Sequence, residues 1–250
     1  MNHLRGSAGE LLRVWRKVGD FMRKTIIGVL VCASSVFAVS PKDRKEVDNR
    51  LNEASVVFGE IMNAPDRGIP QDLLEKAHCA VIIPGVKKGA FIVGAQYGKG
   101  FISCRGKSDR GWSAPAAIRL EGGSFGFQIG GSETDVVMLV MNDRGADRLL
   151  SSQFTLGGEG EVAAGPVGRS TTAQTDAKFT AEILSWARAR GVFAGIALKG
   201  ATLRQDVDDN EAMYGKRLET RDIVQTHIGP TAAGRKLIVA LNRRSPREKS

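Results

Sequence analysis

Between residues 79 and 141 the chain runs through "CAVIIP", "GAFIVGAQ", "GFISCR", "GWSAPAAIRL", "GGSFGFQIGG" and "DVVMLVM", with only short glycine-bearing turns between them. No other feature constrains the fold as strongly. A parallel, doubly wound sheet needs a crossover helix between successive strands, and these runs leave no room for one. Short antiparallel strands follow instead. The glycines cluster between residues 85 and 200 among Val, Ile, Phe and Ala, with no collagen-like period, which marks bent and closely packed strands. In "GGSFGFQIGG", Phe125, Phe127 and Ile129 alternate with small or polar residues, so one face is apolar. "DVVMLVM" does not alternate and reads as a strand buried on both faces.

Helical patterns flank this centre. Across residues 42–63, Val47, Leu51, Ala54, Phe58 and Ile61 recur at three-and-four spacing between charges, the pattern of an amphipathic helix. Pro70 opens a short second helix reaching Lys76. "DRGADRLLSS" predicts another short helix, and "FTLGGEGEVAAGPVGRS" returns to glycine-punctuated extended chain. Residues 177–203 read as two strands joined by a turn at Arg190-Gly191. The tail, 206–243, has helical signals around "DDNEAMYG", "TRDIVQTH" and "TAAGRKLIVALNR", with the last few residues frayed. The fold class is therefore α+β: a strongly curved, glycine-rich antiparallel sheet, barrel- or sandwich-like, flanked by N- and C-terminal helices.

The N-terminus reads as targeting and not as fold. From Met22, "MRKTIIGVLVCASSVFA" has a basic start, a short apolar run and small residues before Ala38, the features of a secretory signal cleaved there. A membrane anchor or a buried helix is the alternative, though the apolar run is short for a span. Residues 1–21 then form an upstream extension, 22–38 the signal, and 39–250 one domain. Bulky Val31 before Cys32 argues against lipidation.

The whole chain has 36 basic and 27 acidic residues, net +9. Residues 1–38 hold six and two of these, which leaves 30 and 25 and a net charge of +5. This mild excess favours anionic surfaces but is no nucleic-acid footprint. Cys79 and Cys104 lie inside apolar runs, where buried thiols are the expectation, with one disulfide open to an exported chain.

Catalytic and metal signatures are scarce. "GVKKGAFIVG" lacks the Walker spacing. Gly122-Gly123-Ser124-Phe125-Gly126 fits the bare nucleophile-elbow pattern, but a strand-like run follows where the elbow needs a helix. His78 and His227 lie far apart without motif partners and read as structural. "DVDDNE", residues 206–211, lacks the glycine and the final glutamate of a calcium loop and reads as an acidic helix start. Trp112, Trp186 and Tyr97 read as aromatics packed against the sheet. No catalytic residue, metal site or cofactor is expected. Lys87 and Lys88 fall at a predicted turn between strands, either simply solvated or forming an edge that contacts anions.

Four stretches in order, "AVIIPGVKKGAFIVGAQYGKG", "GWSAPAAIRLEGGSFGFQIGGSETDVVMLVMN", "FTLGGEGEVAAGPVGR" and "WARARGVFAGIALKGATLRQDVDDNEAMYG", resemble the SYLF domain family, the lipid-binding or yeast actin-patch-type domain, from about residue 45 to 242. The resemblance implies binding of phosphoinositide or another anionic lipid, with actin association in fungal members. It maps membrane contact loosely onto residues 42–63, which carry five acidic side chains and can equally cap the barrel, and onto Lys87 and Lys88. The expected protein is a non-enzymatic, exported, periplasmic domain at a membrane surface that binds anionic phospholipid and no nucleic acid. The alternative is a scaffold for a protein of the cell envelope. N-terminal sequencing of protein from its native cell is expected to begin at Val39; a chain still carrying residues 22–38 would remove the export assignment.

Overall fold

The structure is a computed structural model that describes residues 41–64, 68–90, 93–105, 111–125, 130–157, 162–166, 181–189, 192–195, 198–226 and 228–245. The expectations for residues 1–38, for Phe127 and Ile129, and for His227 lie outside these. Helix α1 (Pro41–Asn63) is followed by the short α2 (Gln71–Lys76), with Pro70 one place earlier than a first-turn position, as its N-cap. Four strands come next: β1 (Cys79–Ala90), β2 (Val93–Cys104), β3 (Ala116–Phe125) and β4 (Gly130–Val140). Helix α3 (Asp143–Leu149) leads to the short β5 (Gln153–Thr155) and β6 (Val162–Ala164). Strands β7 (Ile183–Ala189), β8 (Val192–Gly195) and β9 (Ala201–Gln205) then precede α4 (Val207–Tyr214), α5 (Thr220–Gln225) and α6 (Ala232–Arg244).

Among the described residues the strands form one curled sheet in the order β5-β9-β3-β2-β1-β4-β7-β6, with β8 also on β7. All pairings are antiparallel except β6 with β7. The architecture is thus the expected α+β one, a half-barrel between terminal helices. The strands on either side of residues 190–191, β7 and β8, pair antiparallel, and the stretch read as two strands also holds the start of a third, β9.

The three runs read as short strands at residues 79–105 are two strands of 12 residues each. Pro84 and Gly85 bend β1 without ending it. Register with β4 shifts between Ile83 and Val86, so the missing N–H of proline falls where the ladder is already interrupted. Gly85 adopts φ +57 there, a left-handed conformation that favours glycine. Its N–H donates to Asp135 Oδ1 at 2.9 Å, and Asp135 accepts from Arg188 Nε at 2.7 Å. Arg188 also pairs with Glu60 of α1, so the bulge is tied to the helix above it. On β2, a Cβ at Gly100 would come within 2.3 Å of the Ile82 carbonyl oxygen, so only glycine allows that approach.

Both faces of the sheet are covered, which explains the unbroken apolar run in β4, where residues 136–140 are all buried. On one face Val47, Leu51, Phe58 and Ile61 of α1 pack with Leu237 and Leu241 of α6 onto Ile82, Phe101, Val137 and Trp186. On the other, Val81, Ile83, Ile102, Leu120 and Met138 meet Leu149, Phe154, Leu203 and Ile223. Helix α1 is therefore a lid on the half-barrel, its apolar stripe already buried. It runs parallel to α6: Lys236 Nζ donates to Asn52 Oδ1 at 2.9 Å, and one turn after another onward Arg244 reaches Asn63. Arg244 and Ser245 are also held by Gln71 and Leu74, which ties the end of α6 to α2; the last few residues, expected to be frayed, lie outside the described ones.

Cys79 and Cys104 are not free thiols. They are directly opposed on β1 and β2 with Cα atoms 4.0 Å apart, and a disulfide joins them. Arg105 N donates to the His78 carbonyl, which makes the neighbouring 79–104 pair a non-hydrogen-bonded one, where side chains come closest. Trp186 is buried as expected, its Nε1 donating to the Pro166 carbonyl, and Trp112 lies under the Arg105 guanidinium, 4.4 Å from its ring centre. Replacing both cysteines with alanine is expected to lower unfolding free energy by about 3 kcal/mol for a loop of this length. The check is denaturant unfolding: wild type without reductant should be the more stable, and wild type in reductant should match the variant.

Candidate functional site

Lys87 and Lys88 do not lie at a turn. They continue β1 beyond the bulge, paired on one side with Tyr97 and Gln96 and on the other with Glu133 and Ser132. A turn would let both ammonium groups reach one surface, whereas a strand sends neighbours to opposite faces. Both are exposed, but each serves its own side of the sheet.

The face of Lys87 is the one that α1 covers further along. On β2, Phe101 is buried under the helices, Lys99 lies at the margin and Tyr97 is 47% exposed. Tyr97 was expected to pack against the sheet; it does not, because α1 does not cover this end. Register sets Glu121, Tyr97, Lys87 and Glu133 in one transverse row across β3, β2, β1 and β4. The next row toward the core holds Arg204, Arg119 and Lys99. Glu121 accepts from Arg119 Nε at 2.7 Å and stands 3.1 Å from Arg204 Nε. One carboxylate thus faces two guanidinium groups. The next row on this face toward the tip is Gly123, Ala95, Gly89 and Gly131, which put little side chain beside the charged row.

Lys99 belongs to a different arrangement. Its Nζ lies 2.8 Å from Asp206 Oδ2 and 3.0 Å from Asp209 Oδ1, and Arg50 of α1 binds the other oxygen of Asp209 at 2.6 Å. Asp206 is also the N-cap of α4, its Oδ1 accepting from Asp209 N. Burial pulls the Lys99 pKa down, but its hydrogen bonds to Asp206 and Asp209 and their charges outweigh this, and the net direction is upward from 10.5. Behind it, Asn210 Oδ1 accepts from Ala117 N at 2.7 Å, while Asp206 N and Thr220 Oγ1 both donate to the Ala117 carbonyl. "DVDDNE" is an acidic helix start as read, and among the described residues no carboxylate group is arranged to hold a metal. Sequence reading missed its burial. The signal was Asp206, Asn210 and Tyr214 at four-residue spacing, a polar stripe on one side of a helix that also carries Ala212 and Met213.

His78 and Cys79 lie elsewhere, at the core end of β1. The imidazole Nδ1 is 2.9 Å from Asp143 Oδ1, and both line a pocket of about 380 Å³ whose wall includes the disulfide and Leu150. Ser124 sits within β3, which continues to Phe125, so the strand-to-helix turn of a nucleophile elbow is absent there.

A family model described as Ysc84, Las17-binding protein actin regulator, matches residues 121–244, from the end of β3 through α6. This segment contains Asp206, Asp209 and helices α4 to α6, while their partners Arg50, Lys99 and Ala117 precede it. The chain belongs to the Ysc84 (SYLF) family. Similar SYLF relatives include SH3 domain-containing YSC84-like protein 1 of Rattus norvegicus, 33% identical over 181 residues, covering 72% of this chain and 53% of the relative. The Homo sapiens protein of that name is 34% identical over 163 residues, 65% of this chain and 47% of its own. LAS seventeen-binding protein 3 of Saccharomyces cerevisiae is 34% identical over 172 residues, 67% and 37%. The chain spans about half the length, or less, of the curated relatives it matches. Lys87, Lys88 and Tyr97 precede the segment that the family model matches.

For this SYLF domain, Asp206→Ala is expected to cost about 3 kcal/mol, since it removes a helix cap and the main partner of a half-buried ammonium. The raised Lys99 pKa gives a signed pH test. The stabilisation is full below 10.5, the unfolded value, and is lost as pH rises through the higher folded value. Denaturant midpoints at pH 8 and above pH 10.5 should therefore fall more steeply for wild type than for Lys99→Met.

Proposed function

We propose that this domain is a non-enzymatic binding module that docks on anionic lipid surfaces through the uncovered end of β1–β4, with Lys87 and Lys88 as its cationic contacts. The observation that carries this reading is the exposure of both lysines beyond the margin of α1, next to a row of Gly89, Ala95, Gly123 and Gly131 on the Lys87 side. On the Lys87 side, Arg119, Arg204 and Lys87 outnumber Glu121 and Glu133 locally, while Arg188 is held by Asp135 and Glu60 and Lys99 by Asp206 and Asp209. Charges near an anionic membrane contribute about 1 kcal/mol each. Helix α1 is the poorer contact, because Leu51, Ala54 and Phe58 would have to leave the core to reach lipid.

A protein partner is the second reading. It is favoured by the names of the relatives, one described as Las17-binding and an actin regulator and another as a LAS seventeen-binding protein. Export to an oxidising compartment is part of the proposal. It draws support from the signal-like stretch at residues 22–38 and from the Cys79–Cys104 disulfide, a bond that persists in such compartments.

Co-sedimentation with neutral and anionic vesicles tests the lipid reading. Lys87→Glu/Lys88→Glu should weaken binding to anionic vesicles about thirtyfold or more at low salt, since each reversal removes one attraction and adds a repulsion. Thermal melting should stay unchanged, because both side chains are exposed. Arg235→Glu/Arg243→Glu on the outer side of α6 is the control of equal charge. Equal losses in the two variants would reduce the effect to net charge. Salt-independent binding to neutral and anionic vesicles alike, or capture of a stable protein partner without lipid, would favour the second reading.

A further inference from the structure

Among the described residues, Tyr97 is the aromatic that the sheet leaves uncovered, and its position is set on all sides by register. Lys87 is its neighbour on β1 and Glu121 its neighbour on β3, the carboxylate that faces Arg119 and Arg204. Ala95 and Lys99 flank it on the same face of its own strand, two residues away in each direction. The phenol therefore stands between a lysine on one side and, on the other, the Glu121 carboxylate with the two guanidinium groups it binds. The adjacent row toward the tip is Gly89, Ala95 and Gly123, none of which carries a bulky side chain.

A buried tyrosine of this chain shows the contrast. Tyr214 donates its hydroxyl to the Pro115 carbonyl at 2.5 Å, and burial pushes its pKa strongly upward. Tyr97 is 47% exposed instead, although it lies in the interior of a 12-residue strand paired on both edges. An amphipathic ring flanked by cations suits the boundary between phosphate headgroups and acyl chains, where tyrosine is enriched.

We infer that Tyr97 is the interfacial anchor of the Lys87 face: it seats its ring at the headgroup boundary of an anionic membrane while Lys87, Arg119 and Arg204 meet the phosphates. This rests on the lipid reading above and adds two things to it. It selects the Lys87 face over the Lys88 face, and it assigns part of the affinity to a contact that salt does not screen. Coulombic attraction between exposed groups falls with ionic strength, whereas burial of a ring does not.

The test uses the full domain and vesicles of neutral phosphatidylcholine with or without an anionic phospholipid, titrated at low and high salt. Tyr97→Ala should weaken binding to anionic vesicles about tenfold at both salt concentrations, while Tyr97→Phe stays close to wild type. Lys87→Glu should lose most of its effect as salt rises, and should be more damaging than Lys88→Glu. Tyr97→Trp should show a blue-shifted emission on adding anionic vesicles, beyond any change in wild type. Melting temperature checks that each variant is folded. If wild type binds, Lys87→Glu weakens it and Tyr97→Ala binds like wild type, the anchor is overturned and the lipid reading stands. If Lys88→Glu is the more damaging reversal, the wrong face has been assigned. If wild type binds neither vesicle, the lipid reading and the anchor fall together.

Discussion

Lys99 and the two carboxylates it joins hold the helical layer to the sheet. The lysine comes from β2, Asp206 and Asp209 from the first turn of α4, and Arg50 from α1, so four side chains connect three elements far apart in sequence. Such a cluster is a weak source of net stability, because removing Asp206 from water costs much of what the ion pairs return. Its larger effect is on register. A slip of one residue in β2 would turn Lys99 to the opposite face and leave a capping carboxylate buried without its cation. The apolar contacts of Leu51 and Phe58 tolerate neighbours of similar size, but the ionic contacts tolerate only one alignment.

That alignment also decides which part of the sheet stays uncovered. Phe101, Lys99 and Tyr97 are alternate residues of one strand on one face, and they pass from core through ionic margin to solvent. The half-barrel is therefore graded along its strands. Its helix-covered part carries large apolar residues, and its far end carries glycine, alanine and a few charged or aromatic side chains. The Pro84-Gly85 bulge lies at the transition, where Asp135, Arg188 and Glu60 link the bend to α1.

Much of this was legible from residue patterns. The three-and-four spacing of Val47, Leu51 and Phe58 locates α1, and the unbroken run in β4 foretells a sheet covered on both faces. Local pattern did not reveal how far a strand continues. Pro84, Gly85 and two lysines together look like a turn, and only pairing with β2 and β4 on both sides shows a bulge in a longer strand. The same limit misplaced Tyr97, since an aromatic in a strand is buried only where something lies over it. The disulfide depended on cross-strand register, which spacing alone does not determine. Asp206 was found as a helix start, but its burial comes from Lys99, over a hundred residues away in sequence.

The parallel course of α1 and α6 has a mechanical consequence. Asn52 meets Lys236 and Asn63 meets Arg244, so the first turn of α1 and the last turn of α6 lie at opposite ends of the helix pair. Tension applied between those two turns would slide one helix along the other and load all their contacts at once, instead of peeling them apart in sequence. The layer is thus arranged to bear load lengthwise, with the side chains of Leu237 and Leu241 engaged against α1 throughout.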